Sequence, residues 1–270
     1  MPEGDTIYRT AVTLTRVLAG KTIQKCESFV ADIQPQYLEG KKITRVESRG
    51  KNLLIHFSNG YVLHTHMRMS GSWHIYRIGE RWRKSRNSAR VAIQVEDFVA
   101  VCFNVPVVRL FTSGGIQRDQ HLSQLGPDAL KPDQWDPVSI RERFRKHPHL
   151  EIGVALLRQD LFAGIGNIYK NEALFAERIS PFELVSSLSD KALEQLIARA
   201  SSLMSRSAHS ERRDSYWVYS RSGKPCRVCG QVICMQRQGQ QQRSSYYCPE
   251  CQKPLKQPDV PYPHEIGTGP

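Results

Sequence analysis

The residues Cys226-Arg-Val-Cys229 and, eighteen residues later, Cys248-Pro-Glu-Cys251 form the most specific pattern in this sequence. A two-residue gap lets both cysteine sulfurs bind one ion at about 2.3 Å, so two such pairs predict a tetrahedral four-thiolate site. We expect one structural zinc ion, because thiolates favour zinc and four of them leave no open coordination position. A redox-active dithiol pair is the alternative. Cys234 lies outside both pairs and is expected to pack as a small residue.

The residues between the two cysteine pairs predict a β-hairpin that is too small for a core of its own, so the metal would stabilise it. Its basic tip, Gln241-Gln242-Arg243, is where a phosphate would bind. Residues 201–256 carry ten Lys and Arg against three Asp and Glu, and a second basic stretch from Arg77 to Arg90 encloses Trp82. Each stretch alone is typical of a solvated loop, but together they favour a surface that follows phosphates.

The composition places the chain among globular proteins. Of its 270 residues 40% are hydrophobic and 24% charged, which excludes a disordered or collagen-like chain. A formal net charge of +12 predicts a polyanionic partner, either nucleic acid or an anionic membrane surface. The sequence contains no apolar run of about 18 residues, and its first residues lack the apolar segment of a secretory signal. We therefore expect a cytoplasmic protein that uses no membrane.

Helical patterns precede the cysteine pairs, at residues 139–146, 154–162, 167–177 and 189–204. Gly164 and Gly166 lie between the second and the third of these helices, a spacing that is typical of a tight turn. Such a turn would expose backbone N–H groups at the start of the next helix and form an anion site suited to a DNA phosphate. A plain turn between packed helices is the alternative.

The first half of the chain begins with one helix and continues as strands. The helix is expected to start at Asp5, its predicted cap, and to stop at Gly20. Residues 51–57 and 61–66 flank Ser58-Asn-Gly60, a strong hairpin turn, and further strands are predicted at 91–95 and 98–103. Short strands at this spacing predict a sandwich or a barrel, and the Pro- and Asp-rich residues 126–137 are the expected linker to the helices.

Pro2 is a candidate nucleophile. Met1 before a small residue is normally removed, which leaves Pro2 as a free secondary amine with a pKa near 8, against about 10.4 for a lysine side chain. A secondary amine that attacks an aldehyde carbon forms an iminium, which keeps its positive charge and therefore withdraws electrons. Glu3, the next residue, is suited to moving protons. Taken without context, Pro2-Glu3 is an uninformative start of a chain.

These motifs and others occur in one order that resembles the formamidopyrimidine-DNA glycosylase and endonuclease VIII family of DNA repair enzymes, from residue 1 to about 253. They are Pro2-Glu3-Gly4, Ser48-Arg-Gly-Lys-Asn-Leu-Leu54, His66-Met-Arg-Met-Ser-Gly-Ser72, Leu125-Gly-Pro-Asp128, residues 164–175 and the four-cysteine finger. The opening Pro2-Glu3-Gly4-Asp5-Thr6 is more similar to the endonuclease VIII branch than to the 8-oxoguanine branch.

The resemblance implies an α+β fold, in which an N-terminal helix and a two-layered β-sandwich precede a helical domain with a helix–two-turn–helix element and a C-terminal zinc-finger β-hairpin. The expected boundaries are 1–125 for the catalytic sandwich, 126–138 for a linker, 139–215 for the helix–two-turn–helix domain and 216–253 for the zinc finger. Residues 254–270 would form a poorly ordered tail.

The activity that the resemblance implies is that of a bifunctional DNA glycosylase and abasic-site lyase, a monomer that acts on damaged double-stranded DNA. Pro2 would attack the sugar C1′ of a flipped nucleotide and expel the base, after which β- and δ-elimination cleave the strand. Glu3 matches the family's general acid/base. Lys51 matches the proton donor of β-elimination, and Arg243 matches the finger arginine tied to δ-elimination.

The resemblance also implies a set of DNA-binding residues, which are Arg68, Met69, Gln124, Asn167 and Glu172. Met69 would fill the void left by the flipped nucleotide, and Asn167 would contact the backbone beside it. Each candidate has a structural alternative. Met69 would otherwise belong to a core, Glu172 would cap or pair on its helix, and Lys51 would be a charge that protects a strand edge.

Several functions remain open. Arg68-Met-Ser70 replaces the Gln-Leu-Tyr set common in the endonuclease VIII branch, so 8-oxoguanine and formamidopyrimidine are the alternative to oxidised pyrimidines as the excised base. A non-catalytic zinc-finger DNA-binding protein and an RNA-binding ribbon protein are alternatives from other classes. The joint presence of Pro2, Glu3 and Lys51 favours the enzyme.

Overall fold

One helix and eight strands make up the first half of this computed structural model, which describes residues 2–210 and 215–255. Helix α1 spans Gly4–Leu18. The strands that follow are β1 (Lys25–Ser28), β2 (Ile43–Arg49), β3 (Asn52–Phe57), β4 (Tyr61–His66), β5 (Ser72–Arg77), β6 (Ala89–Gln94), β7 (Phe98–Phe103) and β8 (Val107–Thr112).

The strands form two antiparallel four-stranded sheets, in the orders β2-β3-β4-β8 and β1-β6-β7-β5. The apolar side chains on their facing sides form one buried core with α1, so the predicted two-layered sandwich is confirmed. The hairpin predicted around Ser58-Asn-Gly60 joins β3 to β4, where Gly60 adopts a φ of +83°. A side chain is strained at that φ, which explains why glycine ends the turn.

Helix α1 buries the face that its sequence pattern predicts, which consists of Ile7, Ala11, Leu14 and Leu18. The prediction that Asp5 caps the helix is wrong, because the cap position belongs to Glu3. The Asp5 carboxylate instead accepts hydrogen bonds from Arg9 at 2.8 Å and from the Ser207 hydroxyl at 3.0 Å. The second of these ties the N-terminal helix to the helical half of the chain.

Six further α-helices follow β8 within the described residues. They are α2 (Ser113–Arg118), α3 (Gln120–Ser123), α4 (Pro137–Arg145), α5 (Ile152–Ala155), α6 (Asn167–Ala176) and α7 (Asp190–His209). Helices α4, α6 and α7 confirm three of the predicted helices, although α7 continues past residue 204. Helices α4 to α7 enclose a second core, whereas α2 and α3 pack against the sandwich through Ile116 and Leu122.

The predicted helix over 154–162 is wrong, because α5 ends at Ala155 and turns follow it. The backbone of the following residues is hydrogen-bonded to residues 126–129 instead. Gly126 N–H donates to the Gln159 carbonyl at 2.9 Å, and Ala163 N–H donates to the Pro127 carbonyl at 2.9 Å. These long-range bonds use groups that a helix would have needed, which a local pattern of apolar residues does not reveal.

The cysteine-rich segment forms a hairpin of strands β9 (Cys234–Gln238) and β10 (Arg243–Tyr247), with residues 239–242 at its tip. Of the predicted tail over 254–270, residues 256–270 lie outside the described residues. Among the described residues no helix is long and apolar enough to cross a bilayer.

Candidate functional site

A cavity of about 610 Å³ opens where the sandwich, helix α6 and the tip of the finger hairpin meet. Six of the residues predicted from the sequence line it: Pro2, Lys51, Arg68, Met69, Asn167 and Arg243. They come from the start of the chain, the β2–β3 turn, the segment after β4, the start of α6 and the start of β10. The fold therefore joins candidates from distant parts of the sequence.

Glu3 lies beside this cavity, fully buried, at the N-terminus of α6. Its carboxylate accepts hydrogen bonds from the backbone N–H of Gly166 at 3.0 Å and of Ile168 at 2.8 Å. The prediction that a DNA phosphate occupies these N–H groups is therefore wrong, because Glu3 occupies them. Burial raises the pKa of Glu3, whereas the charge of Lys51 and the N–H donors oppose that rise. Glu3 is thus held in place and biased toward holding a proton.

Glycines allow the start of the chain to approach the turn before α6. Gly4 N–H donates to the Gly164 carbonyl at 3.0 Å, and a Cβ on Gly4 would lie 3.1 Å from the Gly164 Cα. A Cβ on Gly166 would lie 2.6 Å from Glu3 Cγ and Oε1. Only glycine leaves room for Glu3 against the helix terminus, which explains the Gly-Ile-Gly sequence better than a general need for a turn.

Lys51 lies in the turn between β2 and β3, which a buried hydrogen bond from Gly50 N–H to Asp128 Oδ2 at 2.8 Å anchors. Burial lowers the pKa of Lys51 to about 8; the charge of Glu3 opposes this shift and the like charge of Arg243 adds to it. A lysine with this pKa exchanges its proton readily near neutral pH, as a group that donates protons requires.

A row of polar side chains on α6 holds the finger hairpin. Asn167 Nδ2 donates to the Ser244 carbonyl at 2.8 Å, and Asn171 Oδ1 accepts from Tyr246 N–H at 2.9 Å. Lys170, fully buried between them, donates to Ser245 Oγ at 2.8 Å and to the Ser244 carbonyl at 3.2 Å. We call these three α6 residues the clamp. Because Arg243 directly precedes Ser244, the clamp determines where Arg243 enters the cavity.

The other strand of the hairpin is held by Gln238. Its amide nitrogen donates to Glu151 Oε2 at 2.9 Å and to the Pro181 carbonyl at 2.7 Å, while its oxygen accepts from Ser245 Oγ at 2.6 Å. A Cβ on Gly153 would lie 2.5 Å from the same amide oxygen, so the helical half leaves space for this side chain. Both strands of the hairpin are thus fixed by buried polar contacts.

The four predicted metal-binding cysteines, Cys226, Cys229, Cys248 and Cys251, come together at the base of the hairpin. Their sulfurs all lie within 4.8 Å of one another, with Cys229 and Cys248 sulfurs at 3.4 Å and Cys226 and Cys251 sulfurs at 3.9 Å. Four thiolates that bind one ion at about 2.3 Å have sulfurs spaced about 3.8 Å apart. The cluster therefore fits a tetrahedral metal ion. Cys234 is not part of it.

Two segments of the chain match domains of known proteins. Residues 1–112 match the formamidopyrimidine-DNA glycosylase N-terminal domain, and residues 125–215 match the formamidopyrimidine-DNA glycosylase H2TH domain. The chain is also 34% identical over 262 residues to the Probable endonuclease 8 2 of Streptomyces coelicolor, a match that covers 93% of this chain and 94% of that protein. The chain belongs to the formamidopyrimidine-DNA glycosylase and endonuclease VIII family.

Other relatives agree with this membership. The DNA-(apurinic or apyrimidinic site) lyase Nei2 of Mycolicibacterium smegmatis is 33% identical over 261 residues, which cover 93% of this chain and 99% of that protein. Among solved structures, Lactococcus lactis Fpg bound to DNA with an abasic site has a TM-score of 0.82 and 21% identity, over 93% of this chain and 100% of that one. The structural likeness shows that the fold is shared.

Met69 is 68% exposed, so the alternative that it belongs to a core is wrong. It follows Arg68, whose φ of +45° is in the left-handed region that few side chains adopt. The Ser70 hydroxyl donates to the Asn104 carbonyl at 3.1 Å and ties this segment to the end of β7. The segment therefore presents an apolar side chain at the cavity although water surrounds most of it.

Two of the predicted DNA-binding residues do not line this cavity. Gln124 faces a surface depression beside α4. The Glu172 carboxylate accepts hydrogen bonds from the backbone N–H of Trp217 at 2.8 Å, Val218 at 3.0 Å and Tyr219 at 2.9 Å. The structure thus gives Glu172 a bonded place inside the protein, where it anchors the chain that leads into the finger.

Three histidines that the sequence analysis did not propose as site residues also line the cavity. They are His64, His66 and His121. Burial is the main cause that lowers the pKa of His64 and of His66 to about 4, so both are neutral near pH 7. His64 Nε2 lies 2.9 Å from Asn52 Oδ1. His64 and His66 alternate on β4 with a period of two, a signal that the sequence contains but that does not by itself reveal a cavity.

A second cavity of about 560 Å³ lies near the N-termini of α1 and α6. Asp5, Thr6, Ile168 and Tyr169 form one side of it. Aromatic residues that follow the undescribed residues 211–214 form another, among them Trp217 and Tyr219. Because Glu3 directly precedes α1 and binds the first N–H groups of α6, the two cavities lie on either side of the segment that carries it.

Proposed function

We propose that this protein is a bifunctional DNA glycosylase and abasic-site lyase of base excision repair that favours oxidised pyrimidines. The observation that carries the proposal is that one cavity joins Pro2, Lys51 and Arg243 beside the buried Glu3. The names of the relatives, which include an endonuclease 8 and an abasic-site lyase, support the same reaction. The proposed catalytic residues are Pro2, Glu3, Lys51 and Arg243.

The first step would join the protein to the sugar. After removal of Met1, the Pro2 nitrogen bonds to C1′ of the damaged nucleotide, the base leaves with its bonding electrons and a proton, and the ring opens to an iminium. Glu3 is suited to supply and return protons here, since burial raises its pKa. The helix N–H groups that hold its carboxylate keep it beside Pro2.

The later steps would cleave the strand. The iminium draws electrons from the adjacent C2′–H bond, so a base removes that proton and the 3′ phosphate leaves by β-elimination. Lys51, with a pKa near 8, is suited to donate a proton to this leaving group. Loss of a further sugar proton then expels the 5′ phosphate by δ-elimination, where the fixed charge of Arg243 would stabilise the departing anion.

Damaged duplex DNA is the proposed partner of the monomer, and zinc the proposed metal. Asn167 and Arg68 would contact the backbone at the lesion, and exposed Met69 would enter the space of the flipped nucleotide, offsetting an unstacking cost of a few kcal/mol. The second cavity, with aromatic side chains on one side, is suited to receive the extruded base. We propose residues 1–125, 139–215 and 216–253 as the catalytic, helix–two-turn–helix and finger domains.

Borohydride trapping tests the proposal. A duplex with an abasic site is incubated with the protein and borohydride, which reduces an iminium to a stable amine and leaves a covalent adduct. We expect an adduct with the processed protein, and none with Pro2→Gly or with protein that retains Met1. The absence of an adduct from processed protein that binds the same duplex would instead favour a non-catalytic DNA-binding protein.

The preferred lesion is tested separately. Excision of dihydrouracil, thymine glycol and 8-oxoguanine from otherwise identical duplexes would be compared in single-turnover reactions. Faster excision of the two oxidised pyrimidines is the expected result. Faster excision of 8-oxoguanine would transfer the proposal to the alternative specificity without changing the chemistry at Pro2.

A further inference from the structure

The basic stretch from Arg77 to Arg90, which we call the basic segment, lines neither of the two cavities described above. It leaves β5 at one end of its sheet and returns to β6 at the other, because Ala89 and Ser72 both pair with Phe103 whereas Arg77 pairs with Phe98. The segment therefore runs along the sheet and ends on the side where β7 leads toward Val107 in the cavity wall.

Aromatic packing holds the basic segment against the sheet. The Trp82 ring packs edge-on against Phe103 at 5.7 Å between centroids and stacks on Tyr76 at 6.4 Å. The Arg86 guanidinium lies 5.3 Å from the Trp82 ring centre and also pairs with Glu27. Packing of the Trp82 ring thus attaches the middle of the segment to the sheet, which is not typical of a flexible, solvated loop.

The remaining cations of the basic segment have no acidic partner. Arg81, Arg83 and Arg90 are exposed and form no ion pair with any described residue. The Lys84 amine donates to the Ser72 hydroxyl at 2.8 Å, which is a neutral partner. Glu80 is the acidic residue within the segment, and its carboxylate accepts from the Arg77 backbone N–H. The surface therefore carries an excess of positive charge that nothing in the described chain neutralises.

The basic segment is connected to the segment that presents Met69. Ser72, which binds Lys84, lies three residues after Met69. Asn104 N–H donates to the Ser88 carbonyl at 2.8 Å, and the Asn104 carbonyl accepts from the Ser70 hydroxyl at 3.1 Å. The basic segment therefore adjoins the segment with which Met69 would enter a duplex.

We propose that the basic segment, through Arg81, Arg83 and Lys84, binds backbone phosphates of the duplex on one side of the lesion. The inference rests on the proposed DNA partner but not on the chemistry at Pro2. Nucleic acid is favoured over an acidic peptide because several unpaired cations lie on one segment that Trp82 fixes to the sheet and that hydrogen bonds link to the segment carrying Met69. A backbone with regularly spaced charges binds such a group of cations. The segment would lengthen the DNA footprint beyond the nucleotides that reach the cavity.

The test compares Arg81→Ala/Arg83→Ala with Arg16→Ala/Lys42→Ala, which removes the same charge from exposed positions at the far end of α1 and the start of β2. The probes are a short duplex with a tetrahydrofuran abasic analogue and the same duplex extended by one helical turn on either side. Affinity is measured over a range of salt concentrations.

The wild-type protein should gain affinity when one flank is extended and not when the other is. On that extended duplex, Arg81→Ala/Arg83→Ala should reduce the slope of log affinity against log salt by about 1.8, since each phosphate contact contributes about 0.9. This corresponds to about a tenfold smaller loss of affinity between about 50 and 200 mM salt. On the short duplex the variant should bind like the control.

Equal slopes for the two double variants on every duplex would overturn the proposal. Unchanged DNA slopes together with loss of binding to a polyglutamate peptide would also overturn it, in favour of a protein partner. The proposed function fails independently if borohydride traps no adduct on a short duplex of the same sequence that carries a natural abasic site, while the flank-dependent binding to the tetrahydrofuran duplexes persists.

Discussion

The sandwich carries Lys51 and the finger hairpin carries Arg243 into the same cavity, but the two regions are stabilised in different ways. Lys51 is carried by a sheet whose core contains twenty-two buried apolar residues, including those of α1. Arg243 is carried by a hairpin whose cluster contains five buried residues, of which Cys226 and Cys248 are candidate metal ligands. Burial of apolar area therefore positions Lys51, whereas the hairpin that carries Arg243 buries too little apolar area to be stable by burial alone.

This difference indicates that the step assigned to Arg243 is more sensitive to single substitutions than the step assigned to Lys51. The clamp and Gln238 hold the hairpin through a few buried polar contacts, and the cysteine cluster would hold it through a bound metal ion. A core made of many apolar contacts loses little when one of them weakens, but a buried polar network depends on every member. We therefore expect changes at the finger to affect Arg243 while Lys51 keeps its place.

The largest expected effect is that of metal removal. A structural zinc ion contributes about 10–16 kcal/mol of binding free energy, more than this small cluster contributes by burial, so chelation should unfold the finger. Product of δ-elimination should disappear and DNA affinity should fall, while amide exchange in β3 and β4 stays slow. Cys248→Ser should behave likewise, and Cys234→Ser, outside the cluster, should not. Full DNA binding by metal-free protein would contradict this.

The next largest effect is expected where Glu3, which precedes α1, binds the N-terminus of α6. Gly166→Ala places a methyl group 2.6 Å from Glu3 Cγ, so the carboxylate must move. A displacement of about 1 Å at a reacting group costs about a hundredfold in rate, which we expect for trapping of abasic DNA. Gly114→Ala is the control, since its Cβ meets nothing nearer than 3.5 Å. Equal trapping rates would refute the importance of this contact.

A smaller effect is expected from the clamp. Lys170→Met removes the amine that donates to Ser245 Oγ and leaves that hydroxyl and its neighbours less well bonded, at a cost of about 1–3 kcal/mol. The ratio of δ- to β-elimination product should fall about tenfold because Arg243 is less well positioned, while the adduct with Pro2 still forms. Lys191→Met, on the exposed face of α7, serves as the control. Equal loss of both products would show a general defect instead.

The smallest effect concerns coupling between the two cations. The like charge of Arg243 lowers the pKa of Lys51, so Arg243→Ala should raise that pKa above about 8. Protonated Lys51 would then persist to higher pH, and the alkaline limb of the β-elimination rate should move upward by less than about one pH unit. Single-turnover rates across pH measure the shift, with Arg16→Ala as control. A downward shift would contradict the proposed role of Lys51.

Patterns within short segments predicted the elements correctly where the cause is local. The spacing of Ile7, Ala11, Leu14 and Leu18 predicts the buried face of α1, and the Asn59-Gly60 turn predicts its hairpin, because both depend on backbone geometry over a few residues. The cysteine pairs likewise predict their own cluster. The helix expected at 154–162 failed because residues 126–129 compete for its backbone groups.

The candidate site shows the same division between local and distant causes. The amino-acid sequence alone determined which reactive groups the protein has. A secondary amine at Pro2, a carboxylate at Glu3 and four paired cysteines are properties of residue type and spacing. The tertiary structure decided where those groups act. It placed Glu3 on the helix terminus that was expected to bind phosphate, and it kept Gln124 and Glu172 away from the cavity. Hydrogen bonds between residues more than a hundred positions apart depend on the packing of whole domains, which no short pattern encodes.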